Sequence, residues 1–207
     1  MKPLPIAVLL SGGGTTLQNL IDRIQDRSLP AQIVQVIANK PGVLGIERAR
    51  KAALPVEVVE RKTFSSTEAF SESIFKLCRA ARAQLVCLAG FLQLLRIPED
   101  FIHRVMNIHP SLLPAFGGKG MFGHHVHEAV LAYGAKVSGC TVHFADNEFD
   151  HGPVVLQRTT PVHDDDTPDT LAARVFEQEC IAYPEAIRML AEGRVTIEGR
   201  RVRIRPR

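Results

Sequence analysis

A chain of 207 residues can bury a sizeable core, as one α/β domain or two closely packed halves. It is 45% hydrophobic and 23% charged, with no Trp. Its net charge is +3, much of the positive charge sits at the extreme C-terminus, and a near-neutral body argues against a nucleic-acid binder. Cys78, Cys87, Cys140 and Cys180 form no Cys-x-x-Cys pair, which argues against a structural zinc or thioredoxin-type site; most read as buried free thiols suited to a reducing cytosol. The apolar run after Met1-Lys2-Pro3 is too short to span a membrane and no secretory cleavage pattern follows, so the chain reads as cytoplasmic and not membrane-bound.

In chain order, residues 6–10 read as a buried strand ending at Ser11-Gly12-Gly13-Gly14. Leu17, Leu20, Ile21 and Ile24 at helical spacing predict a helix over 15–27. A second strand is expected at 33–38, a helix at 45–53, a third strand at 56–59, a helix at 66–82 with Ser66 or Thr67 near its N-cap, and a fourth strand at 85–89. Repeated βα units with continuously apolar strands imply a mostly parallel sheet covered by helices on both faces, a Rossmann-like α/β fold. The second half is more mixed. It shows a strand at 105–109, a glycine-rich loop over 114–123 and a helix at 125–133. Strands follow at 137–144 and 154–161, then a long helix at 168–191 and a hairpin turned at Glu198-Gly199. Asp164-Asp165-Asp166 before the long helix suits its dipole, and the basic tail reads as a hairpin's solvated face.

A strand, a Ser-Gly-Gly-Gly-Thr-Thr turn and a helix make an anion-binding design. Glycines admit a ligand to the backbone, and the helix N-terminus offers unpaired N–H groups with a positive dipole end. A dinucleotide fingerprint fails, because Leu17 stands where a third glycine is needed and the second strand ends in Asn39-Lys40 rather than an acid. The Walker sequence is absent. A phosphate monoester fits the remaining pattern, beside the plain reading of a structural turn.

Asn107-Ile108-His109-Pro110-Ser111-Leu112-Leu113-Pro114 carries the chemistry. Residues i and i+2 of a strand share a face, so Asn107 and His109 are expected side by side at a strand's end, where Pro110 and Pro114 stop regular structure. Both can donate to an oxygen that gains negative charge. A third member is expected in the polar loop 146–152; there Asp150 competes with Asp146 and Glu148, and residue chemistry does not choose among them.

The chain resembles the phosphoribosylglycinamide formyltransferases of the folate-dependent formyltransferase family. The matching strings are Leu10 to Thr15, Asn39-Lys40, Gly45-Ile46-Glu47-Arg48-Ala49, Leu88-Ala89-Gly90-Phe91, Asn107 to Pro114, His143-Phe144, Asp150-x-Gly152-Pro153 and Gln178-Glu179, in order over nearly the whole chain. The resemblance implies a single formyltransferase domain over 1–207, with a phosphate-binding half (1–103) and a catalytic, folate-binding half (104–207). It implies formyl transfer from 10-formyltetrahydrofolate to the amine of glycinamide ribonucleotide in purine biosynthesis, with no metal. Asn107, His109 and Asp150 would be catalytic, the carboxylate raising the histidine pKa. Gly14, Thr15 and Thr16 would bind the phosphate, and Glu179 the amine end. Leu92, Gln93, Leu94 and Leu95, with Asn107, would hold the folate. Partners are limited to these small molecules, with no nucleic acid, in a monomer or homodimer.

Several positions depart from the family pattern. Thr15-Thr16 stands where many relatives have Ser-Asn, and Thr67 where some carry an arginine near the folate tail, so Thr67 takes no role. His151 stands where a glycine is common. The loop 116–123 is longer and richer in glycine than usual, and one of His124, His125 and His127 is expected to replace the family's loop histidine. Without an accompanying acidic or Cys set at zinc spacing, these three do not read as a metal site. Formyltetrahydrofolate hydrolase is the alternative; hydrolases of this kind carry an extra N-terminal regulatory domain, and a first strand near residue 6 leaves no room for one. Methionyl-tRNA formyltransferases carry a C-terminal tRNA-binding domain, where only a short basic hairpin is expected here. A non-catalytic phosphate-binding module would not need Asn107, His109 and Asp150 together.

Overall fold

Continuous apolar runs become the central strands. Ile6 through Leu10 are wholly shielded from solvent, as are Val36 to Ala38 and Leu85 to Cys87, the pattern expected of strands covered on both faces. The computed structural model describes residues 2–206. Strands β1 (Leu4–Leu10), β2 (Ala31–Ala38), β3 (Val56–Val58) and β4 (Leu85–Leu88) alternate with helices α1 (Thr15–Gln25), α2 (Leu44–Lys51) and α3 (Thr67–Ala80). β1 pairs in parallel with β2 and with β4, and β2 in parallel with β3. Then come β5 (Val105–His109), α4 (His124–Tyr133), β6 (Val137–Phe144), β7 (Val154–Pro161), α5 (Pro168–Ala191) and the hairpin β8 (Val195–Glu198) and β9 (Arg201–Ile204). β6 and β7 are antiparallel. The seven-stranded sheet has the order β3-β2-β1-β4-β5-β6-β7, and β8-β9 form a separate pair. The chain makes two compact units, one up to Met106 and one from Asn107. Among the described residues no helix is long and apolar enough to cross a membrane.

The first three helices end earlier than their apolar spacing suggests. Each is closed by a left-handed residue that is not glycine: Arg27 (φ 63°), Ala53 (φ 53°) and Arg82 (φ 56°). At α2, Leu54 N–H donates to Ala49 O and Ala53 N–H to Arg50 O; at α3, Ala83 N–H donates to Cys78 O and Arg82 N–H to Arg79 O. These paired bonds satisfy carbonyls a helix end otherwise leaves bare. Only glycine advertises such a turn in sequence, so the ends were not legible. Two short 3₁₀ turns, Arg61–Thr63 and Glu99–Phe101, also add to the expected elements.

In the second unit α5 packs on β6 and β7, burying Leu171, Val175, Ala182, Tyr183, Ala186 and Ile187. The loop after His109 is tied to the same strands. The buried Thr141 hydroxyl donates to Ser111 O (2.7 Å) and accepts from Leu113 N–H (3.0 Å) and Gln157 Nε2 (2.9 Å). Gln157 Nε2 also donates to Leu113 O (2.9 Å). One hydroxyl thus fixes the irregular Pro-Ser-Leu-Leu-Pro turn. Thr141→Val keeps the shape and strands these partners, so it should cost about 1–3 kcal/mol in urea unfolding; a loss below about 0.5 kcal/mol would refute the anchoring role.

Candidate functional site

In the first unit, Gly14 ends the glycine turn in a left-handed conformation (φ 72°) and begins α1 without any side-chain cap or acid in the first turn. The helix therefore presents its first N–H groups uncapped, next to the Thr15 and Thr16 side chains. A Cβ on Gly14 would lie 2.6 Å from Gly45 Cα. This contact explains the Gly45-to-Ala49 string. Gly45 N–H donates to Gly12 O (3.1 Å), and Arg48 Nε donates to Gly13 O (2.9 Å). The start of α2 thus braces the turn, whereas Gly12 and Gly13 face open space within 4 Å of their missing Cβ positions. The turn is also stitched to the segment after β4. Ser11 N–H donates to Gly90 O (3.0 Å), and Ser11 Oγ accepts from Leu92 N–H (2.9 Å). Arg96 N–H donates to Ser71 Oγ (2.9 Å). Leu92, Gln93, Leu94 and Leu95 are held at both ends as an irregular stretch, with Leu95 buried and Leu92 exposed.

In the second unit Asn107, His109 and Asp150 converge. His109 Nδ1 lies 3.4 Å from Asp150 Oδ1, with the two side chains only 4% and 10% exposed. Asn107 Nδ2 donates to the same oxygen at 3.4 Å, and Gly118 N–H donates to Asp150 Oδ2 at 2.9 Å. Asp150, rather than Asp146 or Glu148, is therefore the acid of the group. His109 Nε2 donates to Phe116 O (2.8 Å), so the glycine-rich loop touches both His109 and Asp150.

His143 is the member that sequence reasoning left without a role. Its Nδ1 lies 2.9 Å from Phe144 O and its Nε2 3.1 Å from Asn107 Nδ2. A carbonyl only accepts, so Nδ1 carries the hydrogen and Nε2 accepts from the amide. Both Asn107 amide hydrogens thereby face His143 and Asp150. β6 is buried on both faces from Ser138 to Phe144, so no polar alternation marked His143 as special.

The electrostatics correct one expectation. Burial lowers the His109 pKa, the Asp150 charge and the Phe116 hydrogen bond raise it, and the net direction is down rather than up. Asp150 shows the reverse balance. Burial would raise its carboxyl, but His143 and His109, when protonated, and the Gly118 N–H together hold it below the usual carboxylate range.

Glu179 stands half-buried on α5. Burial pushes its carboxyl up to about 7. No ion pair to Glu179 is found among the described residues. The three histidines diverge. His124 Nδ1 lies 3.4 Å from Asp169 and His125 Nδ1 3.3 Å from Glu128. His127 is buried with Nδ1 unpartnered, and burial, reinforced by the His124 and His109 charges, pushes it down to about 4. Thr67 accepts from Arg61 Nη2 at 3.3 Å.

Two titrations follow. Asp150→Asn removes the charge that raises His109, so the His109 C2–H resonance should titrate below about 6.5 in the parent and lower still in the variant; a rise in the variant would refute the pairing. Glu179 binds a proton in the folded chain that the unfolded chain has lost between pH 4.5 and about 7, so stability falls as pH rises through that window. Glu179→Gln should therefore stabilise by about 1–3 kcal/mol at pH 8 relative to its effect at pH 4.5. Equal effects at both values would contradict the buried, unpaired carboxylate.

Comparison with known proteins places this geometry. The family model "Formyl transferase" matches residues 4–187. A phosphoribosylglycinamide formyltransferase of Haemophilus influenzae is 36% identical, over 93% of this chain and 90% of that protein. A trifunctional purine biosynthetic protein of Drosophila melanogaster is 42% identical over 93% of this chain, which spans only 14% of that protein's length. The crystal structure of a glycinamide ribonucleotide transformylase from Symbiobacterium toebii superposes with a TM-score of 0.93 at 41% identity, covering 99% of this chain and 95% of that one. The turn braced by α2 and the Asn-His-Asp cluster thus occur in a chain that belongs to the formyl transferase family, among its phosphoribosylglycinamide formyltransferases.

Proposed function

We propose that this chain transfers the formyl group of 10-formyltetrahydrofolate to the primary amine of glycinamide ribonucleotide, as a step of purine biosynthesis. The observation that carries this reading is the buried convergence of Asn107, His109 and Asp150, on a chain that aligns with nearly all of a phosphoribosylglycinamide formyltransferase. The amine nitrogen attacks the formyl carbon, and the carbonyl electron pair moves to oxygen. An N–H of His109 and the Asn107 amide, which in the structure are engaged with Phe116 O, His143 and Asp150, would turn from those partners to donate to that oxyanion. Collapse breaks the bond from the formyl carbon to the folate nitrogen. His109 takes the proton the attacking amine gives up and delivers it to the departing nitrogen, so no proton is lost or gained overall. Asp150 stabilises His109 while it is charged, offsetting the burial that otherwise disfavours its protonation.

In the first unit the uncapped start of α1 at Gly14, Thr15 and Thr16 would take the ribonucleotide phosphate. Leu92 to Leu95 would line the folate. Glu179 has no cationic partner among the described residues; a carboxyl raised to about 7 by burial gains most from a ligand that brings a positive or donating amine.

Incubating the protein with 10-formyltetrahydrofolate, with and without glycinamide ribonucleotide, tests the reading. Donor consumption should require the amine and yield the formylated amide. Equal consumption without it would make the chain a hydrolase, and none in either case would overturn both. His109→Ala should lose about 10²–10⁴-fold in kcat with the fold intact.

A further inference from the structure

Asp150 has a non-glycine left-handed backbone (φ 54°), a conformation that persists only when its surroundings over-determine it. Its carboxylate is held by Gly118 N–H and faces His109, but these bonds restrain the side chain, not the peptide that follows. The next peptide along, whose carbonyl is His151 O, is held from the C-terminal hairpin. Arg200 sits directly after the hairpin's Gly199 (φ 58°), and its Nη2 donates to His151 O at 2.6 Å while Nη1 lies 3.2 Å from His151 Nε2. A guanidinium only donates, so Nε2 accepts and the ring's hydrogen is on Nδ1, which donates to Asp146 Oδ2 at 2.7 Å. Asp146 Oδ1 in turn accepts Glu148 N–H at 2.9 Å. An unbroken run of bonds therefore joins the hairpin turn to both ends of the loop carrying Asp150. β9 lies against β7, the strand into which that loop leads.

We propose that Arg200 is a positioning residue for Asp150, acting through the carbonyl and ring of His151 and through Asp146. The inference rests on the catalytic reading of Asp150 given above. It also assigns a purpose to two features the reaction does not otherwise use: the His151 side chain and the basic hairpin. Removing Arg200 frees the His151 peptide, lets Asp150 leave its left-handed conformation, and loosens its 3.4 Å approach to His109. Removing only the His151 ring keeps the bond from Arg200 to the backbone carbonyl, so its effect is smaller.

The test compares Arg200→Ala, Arg200→Lys and His151→Ala with the parent, by steady-state formyl transfer, amide hydrogen exchange over 146–151 and the ¹³C titration of the Asp150 carboxyl. Arg200→Ala should lower kcat about tenfold with KM for the amine substrate within about twofold, speed exchange in the loop, and move the Asp150 titration up toward the ordinary carboxylate range. Arg200→Lys, which can still donate to His151 O, should recover most of kcat, and His151→Ala should fall between. Parental kcat, exchange and titration in Arg200→Ala would overturn the proposal; so would equal losses in Arg200→Ala and Arg200→Lys with KM rising in step. If the parent does not transfer formyl, the catalytic reading fails while this inference is still decided. Faster exchange with a raised Asp150 titration would support the positioning, and unchanged values would overturn it.

Discussion

A carboxylate and an imidazole, both almost wholly shielded from water and 3.4 Å apart, organise the second unit. Neither is stable there alone. Burial disfavours the charge on each; nearby donors keep the carboxylate ionised, whereas the imidazole meets burial by staying neutral. The balance differs between the two: Asp150 is held ionised by its neighbours, whereas burial draws His109 below its ordinary pKa despite Asp150. In the proposed reaction this asymmetry is useful. A histidine that resists charging in the resting protein gives up its proton readily to a departing nitrogen, and the fixed carboxylate lowers the cost of the moment when it is charged.

The surroundings can be understood as devices that keep this pair in register. Thr141 locks the turn after His109 to β6 and β7. His143, fixed by Phe144 O, turns the Asn107 amide toward Asp150. Gly118 supplies a backbone donor, and a Cβ at the preceding Gly117 would crowd Asp150 Cβ at 3.3 Å. The first unit follows a different logic. Its turn is shaped by close backbone contact between Gly14 and Gly45 and by Arg48 reaching Gly13 O, which leaves the helix dipole uncompensated for an anion.

Much of this was legible in the sequence, for identifiable reasons. Continuous apolar runs and helical spacing located every strand and helix of the sheet. The i, i+2 spacing put Asn107 and His109 on one face, and the glycine turn before Thr15 marked an uncapped helix start. Three things were not legible. Helix ends closed by Arg27, Ala53 and Arg82 carry no glycine. His143 lies in a strand buried on both sides, where a polar residue has no periodic signature. The sign of the His109 shift depends on burial, which a carboxylate's presence in sequence does not disclose. Glu179 illustrates the same limit. Its carboxyl is raised by burial and has no cationic partner among the described residues, neither of which its place in the sequence discloses.

The claim on which the account depends is that Asp150 remains ionised although buried. The direct measurement is the ¹³C chemical shift of its carboxyl across pH 2 to 8, assigned with Asp150→Asn. The account predicts a midpoint below the ordinary aspartate value of about 3.9. A midpoint at or above that value would mean that burial prevails over His109, His143 and Gly118, and would contradict the pairing from which the rest is built.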